Sequence, residues 1–210
     1  MTDSLFARVK ERKAQREVRR VARYSTEHKH ATRQRIIETA GRRFKQHGID
    51  GSGIAVLMAD AGLTNGAFYA HFESKDDLVA NVVAGELDTQ RATLDALGSN
   101  RDALEIFVRE YLSRHHRDLR GDGCPSAALL DEIGRCDTAV RRAYTEGARS
   151  IVDVIAAHLA PENPQSARGK ALGLYTVMVG TLQLSRALSD EKLSDEVLEE
   201  GIHNALAFMH

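Results

Sequence analysis

Residues 53–72 read GIAVLMADAGLTNGAFYAHF, followed by Glu73-Ser74-Lys75. The spacing predicts two short helices joined by a glycine turn. The first offers Leu57, Met58 and Ala61 to a core, Gly62 supplies the left-handed backbone of a tight turn, and Leu63 plugs the corner. Thr64 stands where the second helix, carrying Phe68 and Tyr69, would be capped. That second helix is too short to be stable alone. It makes sense as a probe held by a scaffold, with its leading N–H groups and positive dipole end favouring phosphate. Two helices so arranged form a helix-turn-helix, whose second member enters the major groove of DNA. Met58 occupies the crossing point, where a small residue is usual, and its flexible side chain has to adapt to the close approach.

Upstream, Ile36, Ile37, Ala40 and Phe44 fall on one stripe and predict a helix from about Thr32 to His47, with Gly48 just past its end. Ile49–Gly53 is a connector in which Ser52 is the expected N-cap. Ser74, with Asp77 three residues on, has the form of a capping box. Downstream the pattern stays helical, with helices expected at about 74–97, 101–119, 126–135, 137–159, 165–187 and 192–208. No apolar run of period two suggests a sheet, so the chain is expected to be all-α. Residues 1–31 form a basic extension with few apolar anchors, expected to be flexible; an arm tracking phosphates is the alternative.

Composition fits a helical globular protein of 210 residues, with 3 Pro, 5% aromatic residues and no Trp. The net charge of −1 conceals an asymmetry: residues 1–80 hold 15 of the 29 Lys+Arg but only 10 of the 30 Asp+Glu. A basic first third on an acidic remainder suits one end that faces a polyanion. No apolar stretch approaches the roughly 20 residues of a membrane span, and a cytoplasmic location is expected. Cys124 and Cys136 make no disulfide framework and lack metal-ligand spacing. The nine His and many carboxylates form none of the common hydrolase, metalloprotease or phosphate-loop patterns, so neither an enzyme, a metal nor a cofactor is expected.

The run Ala61-Gly62-Leu63-Thr64, then Gly66, Phe68-Tyr69, His71-Phe72 and Ser74-Lys75, closely resembles the signature of TetR/AcrR-family transcription regulators. The resemblance implies a three-helix DNA-binding domain within residues 32–78 and a helical effector-binding and dimerisation domain over 79–210. By position it implies that Thr64, Asn65, Gly66 and Ala67 face base edges and phosphates, and that Tyr69, His71 and Lys75 contact the backbone. Ser52 and Gly53 would present N–H groups to phosphate, and Arg33 is counted with these contacts; Phe68 and Phe72 look like core pegs.

The same resemblance places a dimer interface on the last two long helices, with Leu174, Val177, Thr181, Leu184 and Leu206 as its candidates and Gly173 and Gly180 admitting a partner helix closely. An effector pocket within the C-terminal body would draw on Phe107, Tyr111, His115, Cys124, Tyr144, Tyr175 and Met178. Cys124 precedes a helix, and a thiol there is a candidate for attack on electrophiles. The expected function is that of a homodimeric repressor bound to a palindromic double-stranded operator. A small-molecule effector, or modification of Cys124, would release it. The alternative is an architectural DNA-binding protein with no effector.

Overall fold

The computed structural model describes residues 27–98 and 100–209, so expectations for residues 1–26 lie outside the described residues. Helix α1 runs over residues 27–47, so residue 27, the first one described, is already helical ahead of the expected Thr32. Its Ile36, Ala40 and Phe44 are fully buried, and Gly48 turns the chain at φ +78°. Helix α2 spans Ile54–Asp60 and buries Leu57 and Met58. Its end is built as a Schellman turn: Gly62, at φ +69°, donates to Ala59, and Leu63 donates to Met58 at 2.8 Å.

The third element, the expected second short helix, is Asn65–Ala70 and is wound as a 3-10 helix. Thr64 sits at its N-cap with extended backbone but accepts no capping bond through its side chain. The tighter winding is closed by the Ala67 N–H to the Thr64 carbonyl and the His71 N–H to the Phe68 carbonyl. Phe68 and Phe72 both reach the core, their ring centroids 5.6 Å apart.

Helix α3 (Lys75–Ala96) starts at Ser74, whose hydroxyl accepts from the Asp77 N–H at 3.0 Å. The return bond of the expected box is displaced by one residue, since Asp77 accepts from the Glu73 N–H. The helix expected over 101–119 is interrupted. Helix α4 (Arg101–Tyr111) stops, Ser113 caps α5 (Arg114–Asp118), and the Ser113 hydroxyl takes the His116 N–H that a continuing helix would have used differently. Helices α6 (Pro125–Arg135), α7 (Thr138–Leu159), α8 (Arg168–Ala187) and α9 (Glu191–Ala207) complete the body. Pro164–Ala167 forms a 3-10 turn ahead of α8, which therefore begins later than expected.

The fold is all-α, an N-terminal helix-turn-helix followed by a helical body, with no strand among the described residues. The long α3 packs along α7, and α8 packs along α9. Buried Leu78, Val79, Val82 and Val83 carry the core of the helix-turn-helix without a break into that of the body.

Gly62 has no heavy atom within 4 Å of an added Cβ, so only the backbone opposes substitution there. Gly62→Ala is expected to cost about 1–2 kcal/mol, the penalty of an L-residue in the left-handed region, with Gly62→Asn costing less. Denaturant midpoints measured side by side check this; equal midpoints for Gly62 and Ala would contradict the turn geometry.

Candidate nucleic-acid interface

The exposed tip of the helix-turn-helix is Thr64-Asn65-Gly66, with Ala67 half-buried behind it. Phe68 is wholly buried, and its neighbour Tyr69 is 69% exposed, its ring edge-on to Phe68 at 5.2 Å. An aromatic ring held this far out of the core by a rigid partner has little packing role. Its flat face and hydroxyl are available to another molecule.

Behind the tip, several expected contacts turn inward. The Arg33 guanidinium donates to Asn81 Oδ1 at 2.9 Å and lies 4.7 Å over the Phe72 ring, so it fastens α1 to α3. Ser52 is fully buried: its hydroxyl donates to the Gly48 carbonyl at 2.8 Å and its N–H to the Ile49 carbonyl. Gly53, exposed, is the residue that caps α2, and Ser52 is not presented to the surface. Lys75 donates at 2.6 Å to the Ile49 carbonyl, which uses one of the three N–H bonds of its ammonium. His71 is half-buried with Nδ1 unpartnered; burial, then the charges of Lys29 and Arg33, hold its pKa below the ordinary value and favour the neutral ring.

The peptide that Lys75 grips is also held from the body. Glu132 of α6 accepts from the N–H groups of Ile49 and Asp50, at 2.7 and 3.1 Å. A second tie joins Lys45 of α1 to Glu86 of α3 at 2.6 Å, with the lysine side chain only 4% exposed.

Glu86 also stands in the wall of a cavity of about 430 Å³ bounded by α3, α4, α5 and the segment leading into α6. Of the expected pocket residues, Phe107, Tyr111, His115 and Cys124 line it. Tyr144, Tyr175 and Met178 do not. The Tyr175 and Tyr144 hydroxyls meet Ser126 Oγ at 2.7 and 3.1 Å inside the packing of α6 against α7 and α8, and Met178 is fully buried. Burial raises the pKa of both tyrosines. At the cavity wall the Cys124 thiol donates to Gln90 Oε1 at 3.2 Å, and the Cys124 N–H donates to His116 Nε2 at 3.0 Å. His116 Nδ1 donates to the Tyr111 carbonyl at 2.7 Å, which fixes one neutral tautomer; burial is the main cause that lowers its pKa.

On the outer face of α8 and α9, Leu184 is 52% exposed, Val177 and Leu206 are half-buried, and Leu172 lies exposed nearby. Leu174 is not on this face, being fully buried in the chain's own core. Thr181 packs on Gly201 of the same chain, and Phe208 fills the notch at Gly173. Gly180 alone of the two glycines is open.

Reading the sequence did not find Lys45, Glu86, Gln90, His116 or Glu132. Each acts through a partner on another element, Gln90 with Cys124 and Glu132 with Ile49. No local periodicity marks such residues.

A family model described as bacterial regulatory proteins, tetR family, matches residues 36–82. The chain is similar to the HTH-type transcriptional repressor NemR of Escherichia coli, 24% identical over 131 residues, an alignment that takes in 60% of this chain and 66% of that protein's length. It is also similar to the HTH-type transcriptional regulator AcrR of Shigella flexneri, 36% identical over 62 residues, covering 30% of this chain and 29% of that one. The crystal structure of reduced E. coli NemR has the same fold, with a TM-score of 0.71 and 21% identity over 83% of this chain and 95% of that one.

His71 and His116 both sit below the ordinary histidine value, so the unfolded chain takes up protons first as pH falls. Stability is expected to be full above about pH 6.5 and to decline as pH drops from there through the folded pKa values. Urea midpoints at pH 8 and pH 5.5 measure it, and His116→Gln is expected to flatten the dependence.

Proposed function

We propose that this chain, which belongs to the TetR/AcrR family, is a homodimeric, sequence-specific DNA-binding transcription regulator that acts as a repressor. The observation that carries the reading is the tip: Thr64, Asn65, Gly66 and Tyr69 exposed on a 3-10 segment whose Phe68 is anchored with no exposure at all. One such head reads only a few base pairs, so two heads on a symmetric pair suit a palindromic operator. Thr64, Asn65, Gly66 and Ala67 reach base edges and nearby phosphates, and Tyr69, His71, Gly53 and Lys75 flank them on the backbone. Few side-chain donors stand at the tip, so phosphate contacts supply much of the affinity and make it salt-dependent. The pair forms through Val177, Leu184 and Leu206 around the open Gly180.

Release follows a population shift, in which an effector in the 430 Å³ cavity binds one orientation of the heads better than the other. A second trigger is Cys124, which lines the same cavity. Addition of its S–H across an activated alkene forms an S–C bond and passes the thiol proton to the adjacent carbon. It also abolishes the bond to Gln90. A roomy cavity argues against the purely architectural alternative. No helix among the described residues is long and apolar enough to cross a membrane, in keeping with a regulator working in the cytoplasm.

Selection of bound sequences from random duplexes is expected to return a palindrome. Tyr69→Ala is expected to lower affinity for it at least tenfold with unfolding midpoints unchanged; the same affinity would refute the contact. Leu184→Glu is expected to weaken dimerisation and operator binding together, as seen by sedimentation and gel shift. N-ethylmaleimide is expected to release DNA from the wild type but not from Cys124→Ser, and equal release from both would eliminate the thiol trigger.

A further inference from the structure

The cavity wall carries three carboxylates, Glu86, Glu110 and Asp122, and neither lysine nor arginine. Its other surfaces are largely apolar, among them Ile106 and the rings of Phe107 and Tyr111, whose centroids lie 6.0 Å apart. Tyr111 is 5% exposed, its hydroxyl sealed beside Cys124, whose thiol donates to Gln90, so it is the ring that the cavity meets. The volume suits a molecule of drug-like size.

Resting on the reading of this chain as an effector-responsive regulator, we propose that the cavity takes an organic cation. Its body is apolar and packs on Ile106 and the Phe107 and Tyr111 rings, and its amine is read by Glu86. Aromatic faces and carboxylates together favour a positive head over a neutral or negative one.

Glu86 gives this recognition a consequence. One carboxylate oxygen holds the buried ammonium of Lys45, and the other lies against Gly41, so both belong to the grip on α1. A guest ammonium competes with Lys45 for that carboxylate. As it succeeds, a lysine with almost no exposure loses its partner, a state favourable only if α1 shifts to wet it. The first helix of the reading head is thereby loosened by charge in the cavity.

Three soluble probes share one carbon frame: 4-phenylbutylamine, 4-phenylbutan-1-ol and 4-phenylbutanoate. Calorimetric titration into the full chain without DNA is expected to rank the amine at least tenfold tighter than the alcohol and the carboxylate weakest. Lys45→Met removes the competitor and is expected to tighten the amine about threefold or more while leaving the alcohol unchanged. Lys45→Met combined with Glu86→Leu puts an apolar contact in place of the ion pair, so it stays folded even if the single variant does not. It is expected to keep alcohol binding and lose the preference for the amine. Equal affinities, a preference for the carboxylate, no binding of any probe, or an amine preference that survives in the double variant would each overturn the proposal. Duplex binding is assayed separately: a chain that prefers the amine but ignores every duplex removes the regulator reading alone, and one that binds its operator but prefers the anion removes this inference alone.

Discussion

A 3-10 turn of six residues has no means of holding its own shape in water, because each bond it makes fixes nearly as much backbone entropy as it recovers. The tip therefore exists only as long as Phe68 and Phe72 stay packed in the core that also holds Phe44, Leu57 and Met58. Burial of each large side chain contributes roughly 1.5–3 kcal/mol. That is ample for so short a segment, and it explains why aromatic residues follow directly on a stretch of Asn, Gly and Ala with little anchoring power of its own. The exposed Tyr69 is positioned by the same fact: its ring direction is set by an immobile neighbour.

Around that core, polar ties set the angle at which the tip is presented. Ile49 is gripped at its carbonyl by Lys75 and at its N–H by Glu132. Arg33 bridges α1 to α3 through Asn81 and the Phe72 ring. The buried Lys45–Glu86 pair closes the set. Two of these carboxylates belong to helices that also bound the cavity, α3 directly and α6 through Cys124 and Pro125 at its start. The body and the reading head thus share residues, and reorientation of one against the other has to break bonds that are individually short and mostly shielded from solvent.

The helix-turn-helix was legible because its signals are local: a glycine with positive φ, an apolar stripe and a cap each occupy a few consecutive residues. Gly62, Phe68, Phe72 and Ser74 stand where the pattern puts them. What was illegible depends on which way a side chain turns. Ser52, Arg33 and Lys75 carry groups suited to phosphate, yet each satisfies a backbone or side-chain partner within the domain. The cavity was half legible for the same reason. Tyr144 and Tyr175 have the composition of pocket residues, but a single serine on α6 draws both hydroxyls into the packing of that helix against α7 and α8. Leu174 and Thr181 share a helix with open positions such as Leu184, and only the packing of α9 and Phe208 tells the faces apart.

The bond from Glu132 to Ile49 and Asp50 crosses from the sixth helix to a loop more than eighty residues upstream. Cutting the chain after α2 and the 3-10 turn and grafting the head onto another body would sever it, however well the seam matched. Hybrid sensors built on this scaffold should exchange the loop and its acidic anchor as a set. The transferable module is discontinuous along the polypeptide.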